Sequence, residues 1–305
     1  MGLINEVKFS DLYITPDKTC YIWSGKTDCG LMTITFDDFP EFLAGLETEY
    51  DGKNCSYLLN YKGRNYRVER TVALQGPQYC ARKMPTTVPD LKDLGIDAGV
   101  YKHLVSLSGA YGLILLAGAT GSGKSTTVSA LLKEYLSLKG GYAFTIEDQI
   151  EMPLDGEYHS QDGELGLCKQ TVPPEGKWEE GLKSALCSKP RYILLGEIRT
   201  PEVASEALRA ATSGHLVLST IHANNVSDAV NSLVKYAASS GISEEMAYDL
   251  VANGFLACIH QILEGVPKRA KQTYLFANPN TQKSCQVRGI LRSGKLNLGQ
   301  VLEQQ

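Results

Sequence analysis

No two of the eight cysteines in this 305-residue chain form a C-x-x-C pair. They stand at 20, 29, 55, 80, 168, 187, 258 and 285, a scatter that excludes zinc-ribbon and thioredoxin-like readings. In a long chain without a secretion signal they read as reduced thiols, in the core or on the surface. Excess basic charge is missing too: 30 Lys and Arg face 34 Asp and Glu, a formal net charge of −4. No global field exists to hold nucleic acid, so no stable nucleic-acid binding is expected. Long apolar runs are absent. The longest, over 104–119, is too short for a bilayer and is interrupted by Ser106, Ser108, Gly109, Gly112 and Gly118. The first twenty residues carry Glu6, Lys8, Asp11, Asp17 and Lys18, which is not the apolar segment of a signal peptide. A soluble, cytoplasmic protein is expected. Internal repeats and low-complexity segments are also lacking.

The composition is that of a globular protein, with 43% hydrophobic and 21% charged residues. Disordered, collagen-like and coiled-coil classes are thereby excluded. At roughly 100–200 residues per domain, the length predicts two domains. Short alternating runs at 21–23, 31–35 and 55–59 read as strands broken by glycines, with a short helix over 39–46. Residues 1–83 therefore read as a small α+β domain. Residues 84–99 hold two prolines and two glycines, the signature of a linker.

From residue 100 to 305 strands and helices alternate. Leu113 to Ala117 is a fully apolar run, as a buried parallel strand should be. Further strands are predicted over 142–146, 192–195 and 215–221. Helices are predicted over 124–138, 201–212, 226–236 and 244–263. This pattern predicts an α/β fold with an open parallel sheet covered by helices on both faces.

Gly118-Ala119-Thr120-Gly121-Ser122-Gly123-Lys124-Ser125 fits G-x-x-x-x-G-K-[ST] at every position, between an apolar strand and a helix. Glycines let backbone N–H groups turn around phosphate oxygens, and the helix N-terminus adds its dipole. Lys124 supplies charge for the β and γ phosphates, and Ser125 offers a hydroxyl to Mg²⁺. These eight residues and Thr126 are the candidate ATP contacts. Two strands that end in acids follow, at Glu147-Asp148 and at Glu197. Ligands of open parallel sheets sit beyond the carboxyl ends of the strands. One acid can hold the water shell of Mg²⁺, and another can orient the attacking water. His222, after the 215–221 strand, is placed to sense the γ-phosphate. His215 lies at the opposite end and reads as structural. His103, His159 and His260 show no metal-ligand spacing and read as surface or helix residues.

These motifs resemble one family, the secretion and pilus motor ATPases of type II and type IV systems. That family carries a phosphate loop, T-I-E-D-P-I-E, G-E-I-R-D and T-G-H-L-V-L-S-T-x-H. This chain reads Thr145-Ile-Glu-Asp-Gln-Ile-Glu151, Gly196-Glu-Ile-Arg-Thr200 and Ser213-Gly-His-Leu-Val-Leu-Ser-Thr-Ile-His222. The similarity covers about 82–265. Weaker matches are Phe9 to Ile14, Tyr66-Arg67-Val68, Arg82 to Pro85 and Ile290 to Gly294. The resemblance implies a hexamer with a PAS-like N-terminal domain, a RecA-like domain and ATP between subunits. It implies action on a platform protein at the inner membrane, with peripheral attachment there. By the same resemblance Glu147 activates water, Asp148 supports it, Glu197 is the Walker-B-type acid that reaches Mg²⁺ directly or through water, and His222 reports the γ-phosphate. Glu147 and Glu197 both stay open as the base, with Glu147 slightly preferred. Arg67 and Arg82 are candidate trans-acting arginines, with surface or interdomain pairing as the alternative.

The chain departs from the family at Gln149, Thr200 and Cys187, and over 152–180, where the usual Q-R-E reads Gln170-Thr171-Val172. It has no tetracysteine module. Lys189-Pro190-Arg191 and the compact N-terminus resemble the retraction-type and type IVB secretion or conjugation branch. Two other readings compete: a RecA-type DNA translocase, and a scaffold that binds nucleotide without turnover.

Overall fold

The computed structural model describes residues 2–23, 30–160, 162–173, 177–265, 269–277 and 286–294. It divides into two compact units, Met1–Thr87 and Val88–Gln305.

In the first unit the alternating runs become β1 (Asp11–Ile14), β2 (Cys20–Trp23), β3 (Leu31–Ile34), β4 (Ser56–Tyr61), β5 (Arg64–Ala73) and β6 (Gly76–Lys83). They pair in the order β3-β2-β1-β6-β5-β4, antiparallel throughout. Lys62 and Gly63, both at positive φ, make the two-residue turn between β4 and β5. Helix α1 (Phe39–Thr48) has Pro40 in its first turn and buries Phe42, Leu43 and Leu46. These meet Leu12, Ile14, Tyr66, Val68 and Ala81 on one face of the sheet. The period-two alternation of β5 sends Arg67 to the other face.

The second unit opens with a 3₁₀ turn (Leu91–Leu94) and α2 (Ala98–Ser106), capped by Asp97. Val88 and Leu91 are buried in its core, so the later half of the proline-rich segment packs as part of this unit. There follow β7 (Gly112–Ala117), α3 (Lys124–Lys139), β8 (Gly141–Ile146), β9 (Gly156–His159), β10 (Leu165–Thr171), α4 (Trp178–Cys187), β11 (Tyr192–Leu195) and α5 (Pro201–Thr212). The chain continues through β12 (Leu216–Ile221), α6 (Val226–Ser239), α7 (Glu244–Gly254), β13 (Phe255–Glu264), β14 (Arg269–Phe276) and α8 (Gln286–Arg292).

Strand order is β14-β13-β7-β12-β11-β8-β10-β9. The six inner strands run parallel. The outer two, β9 and β14, are antiparallel to their neighbours, so the α/β sheet is mixed at its edges. Leu113, Leu115 and Ala117 of β7 face the cluster formed with α4 to α8; Ile114 and Leu116 face α2 and α3. Burial on both faces is why these strands read as continuous apolar runs.

One expectation is corrected. The single helix predicted over 244–263 is α7 followed by β13. Phe255 to Ile259 are fully buried, and β13 pairs with β7. An uninterrupted apolar run suits a buried helix and a buried strand equally, and Gly254 marks the stop. Cys20, Cys55, Cys80, Cys168, Cys187 and Cys258 are free thiols; Cys29 and Cys285 lie outside the described residues. Among the described residues no helix is long and apolar enough to cross a membrane.

Candidate nucleotide-binding site

The loop between β7 and α3 turns on Gly118, Gly121 and Gly123, with φ of 149°, 77° and 84°. These values belong to the region that glycine tolerates and other residues resist. Gly118 N donates to Ile221 O at 3.3 Å, tying the loop to the end of β12. Helix α3 starts without a side-chain cap, which leaves first-turn N–H groups for an anion. Lys124 Nζ donates to Gly118 O and Ala119 O, each at 2.8 Å. Its burial lowers the ammonium pKa, and Glu197 and Glu151 oppose that shift. Ser122 Oγ is buried with no hydrogen-bond partner. Ser125 and Thr126 are half-buried in the first helical turn.

Beyond the strand ends lies a cavity of about 300 Å³, lined by Ser125, Glu147, Asp148, Glu197, Arg199 and Thr220 among others. Glu147 directly follows β8, and its N–H donates to Thr171 O at 3.1 Å. Its side chain is buried. Thr145 Oγ1 donates to Glu147 Oε1 at 2.7 Å, and Gln170 Nε2 donates to the same oxygen at 3.0 Å. Gln170 is fixed in turn, because its Oε1 accepts from Leu154 N and Asp155 N and its Nε2 also donates to Met152 O. Burial raises the Glu147 pKa; the two hydrogen bonds oppose the shift and Glu151 adds to it.

Glu197 follows β11 by two residues. Gly196 N donates to Ile146 O, and Thr220 Oγ1 donates to Gly196 O, so this turn is held from both sides. Arg199 Nη2 donates to Glu197 Oε2 at 2.6 Å. The Glu197 bond is the main cause of a raised Arg199 pKa. Arg199 Nη1 also lies 3.4 Å from Asp148 Oδ2, so one guanidinium joins both strand ends. His222 Nε2 is 3.0 Å from Glu197 Oε1, yet that buried oxygen has no hydrogen bond. The two groups are within ion-pair distance, but the contact is not a hydrogen bond.

The described residues hold no cluster of three His, Cys, Asp or Glu side chains able to grip a metal alone. Mg²⁺ does not need one, since it usually keeps waters and substrate phosphates as ligands. The orphaned Glu197 Oε1 and the Ser125 hydroxyl are hard oxygen donors on one cavity and fit such an ion.

Glu147, Asp148, Glu197 and Ser125 thus line one cavity; His222 lies against Glu197, and the Lys124 ammonium is held by the loop carbonyls of Gly118 and Ala119. Arg67 and Arg82 belong to the first unit, whereas the cavity lining belongs to the second. They are register partners on β5 and β6, and Arg82 Nε lies 2.7 Å from Asp11 Oδ1. His215 Nδ1 meets Pro190 O at 2.7 Å, a structural contact at the far end of β12. His103 stacks on Phe276 at 3.9 Å. His260 is corrected: it lies on β13 in register with Ala117, beside the phosphate loop, rather than on a helix.

Sequence reasoning gave no role to Arg199, Gln170 or Thr145. Thr145 and Arg199 sit within the two acid-bearing motifs, which mark them, whereas the role of Gln170 depends on the pairing of β10 with β8. Thr200 has a structural account, because its Oγ1 accepts from Val203 N as the cap of α5, a task that Asp also performs. Gln149 lines the cavity, and Cys187 is exposed at the end of α4.

The Type II/IV secretion system protein family matches residues 54–303. The chain is 30% identical to a twitching motility protein of Neisseria gonorrhoeae over 249 residues, covering 78% of this chain and 64% of that one. It spans less than two thirds of the length of the curated relatives it matches first, from 64% down to 16%. Its fold is similar to that of the pilus retraction motor PilT with bound ADP, with a TM-score of 0.78 at 23% identity, over 98% of this chain and 87% of that one. The Legionella pneumophila ATPase DotB matches with a TM-score of 0.75 at 25% identity, over 97% of this chain and 84% of that one.

Proposed function

The chain belongs to the Type II/IV secretion system protein family, and from that premise we propose that it binds and hydrolyses MgATP to drive a pilus or a type IV secretion machine. The observation that carries this reading is the cavity in which Ser125, the last residue of a complete phosphate-loop motif, meets the buried, hydrogen-bonded carboxylate of Glu147. Loop and helix N–H groups bind the phosphates. Lys124 has three N–H donors; two hold loop carbonyls and the third is left for a phosphate oxygen. Both donors to Glu147 fall on Oε1, which leaves Oε2 to take the proton of an attacking water. Bound Mg²⁺, held by Ser125 and by Glu197 directly or through water, would neutralise phosphate charge. Asp148 steadies Arg199, and His222 reports the γ-phosphate from its place against Glu197.

The finer assignments are family expectations carried onto this chain. It works as a hexamer, peripherally, on a platform protein at the cytoplasmic face of the inner membrane. Arg67 and Arg82 of one subunit serve the nucleotide of the next. Rigid-body motion of the units converts turnover into force.

The test is Mg²⁺-dependent ATP hydrolysis by the purified chain, with Lys124→Ala as control. Turnover in the wild type that vanishes in the variant is expected. Nucleotide binding without turnover in the wild type would instead support the scaffold reading, and salt-sensitive DNA binding would support the translocase.

A further inference from the structure

We propose that Gln261 is a positioning residue for the phosphate loop: its side-chain amide holds the Ser122 carbonyl away from the cradle and so aims the Gly123 N–H into it. The proposal rests on the nucleotide-binding reading above and adds a component from outside the loop.

Gln261 lies on β13 and is 1% exposed. A buried amide must find its partners within the protein. Gln261 Nε2 donates to Ser122 O at 2.8 Å. Gln261 Oε1 accepts from Thr127 Oγ1 at 3.0 Å and from Gln272 Nε2 at 3.1 Å. One side chain therefore joins the loop, the first turn of α3 and the neighbouring strand β14. Gln272 is the register partner of Gln261 across the β13–β14 ladder.

The peptide between Ser122 and Gly123 is planar and trans, so its C=O and N–H point in opposite directions. Pinning the carbonyl to Gln261 therefore sets the direction of the Gly123 N–H. The loop is also built against this strand. A Cβ at Gly118 would stand 2.4 Å from Gln261 O, and one at Gly123 would stand 3.0 Å from Gln261 Nε2. Two loop glycines thus permit the close approach that the hydrogen bond requires. The amide does not line the cavity, so it acts through the backbone. Through Gln272, the β13–β14 pair becomes part of the nucleotide site.

The test uses the full chain and a fluorescent ADP, with melting temperature and ATP kinetics measured in parallel. Gln261→Leu keeps the volume and removes the amide. Its ADP affinity should fall about tenfold, and Gln272→Leu, which removes one support, should lose about two- to fivefold. In Gln261→Leu the KM for ATP should rise by about the same tenfold while kcat changes less. A merely structural role would lower the active fraction and leave KM unchanged. ADP affinity and KM within twofold of wild type in Gln261→Leu would overturn the proposal. If Gln261→Leu does not fold, Gln272→Leu and Thr127→Val decide. Weakened ADP binding in both supports the proposal, and wild-type affinity in either overturns it. A wild type that binds no ADP overturns the nucleotide reading and the proposal with it.

Discussion

Glu147 and Glu197 stand at the ends of adjacent parallel strands, yet their surroundings differ in kind. Around Glu147 the donors are neutral, a threonine hydroxyl and a glutamine amide, and burial pushes its pKa up. Around Glu197 the one side-chain donor among the described residues is the cationic Arg199 at 2.6 Å, and the His222 imidazole stands 3.0 Å away without a hydrogen bond. A carboxylate without a cation beside it is suited to accept a proton. One already paired with an arginine is suited to stay charged and face a metal shell. Residue type is the same at both positions; the neighbours assign the roles.

The largest expected effect comes from removing the first acid. Glu147→Gln should lower kcat by about 100-fold or more, as loss of a general base does, while ATP binding persists. The linked stability effect has a definite sign. Burial raises the folded pKa above the ordinary carboxyl value of 4.5. The stabilisation from holding that proton is present below the unfolded pKa and is lost as pH rises through the folded one. At neutral pH, Glu147→Gln should therefore melt higher than wild type in a thermal scan. A lower melting temperature with retained turnover would erase the contrast between the two acids.

Glu197→Gln should lower turnover by about 10- to 100-fold and raise the Mg²⁺ concentration needed for half-maximal rate. An unchanged Mg²⁺ requirement in a titration would remove Glu197 from the metal shell. The smallest effect sharpens the comparison. Gln170→Leu removes a hydrogen bond that favours the ionised Glu147, so the Glu147 pKa should rise further. The acid limb of the kcat/KM profile should move to higher pH, and the rate near pH 7 should fall by about two- to tenfold. An acid limb that stays in place would mean that Glu147 is not the group titrating there.

Much of this contrast was written locally in the chain. The phosphate loop is a run of neighbours, and the β11 and α5 bounds follow from a short apolar run and from Pro201 with its Thr200 cap. What stayed hidden depends on pairing. Gln170 reaches Glu147 because β10 lies parallel to β8, with Gln170 opposite Thr145, a register that no spacing within either strand reveals. The 244–263 run was misread because β13 is buried on both faces and shows no period of two. Strand β10, next to the outer strand β9, was missed for the opposite reason: Leu165 and Leu167 alternate outward from it into solvent, so no dense apolar run marks it. Gln261, a polar residue inside a buried strand, gains meaning only once Ser122, Thr127 and Gln272 surround it.

The most direct measurement is single-turnover hydrolysis of MgATP by wild type and Glu147→Gln, each shown beforehand to bind ATP. Turnover in the wild type, with a loss of about 100-fold or more in the variant at similar affinity, is the expected result. Equal rates in the two proteins would contradict the assignment of Glu147 as the base.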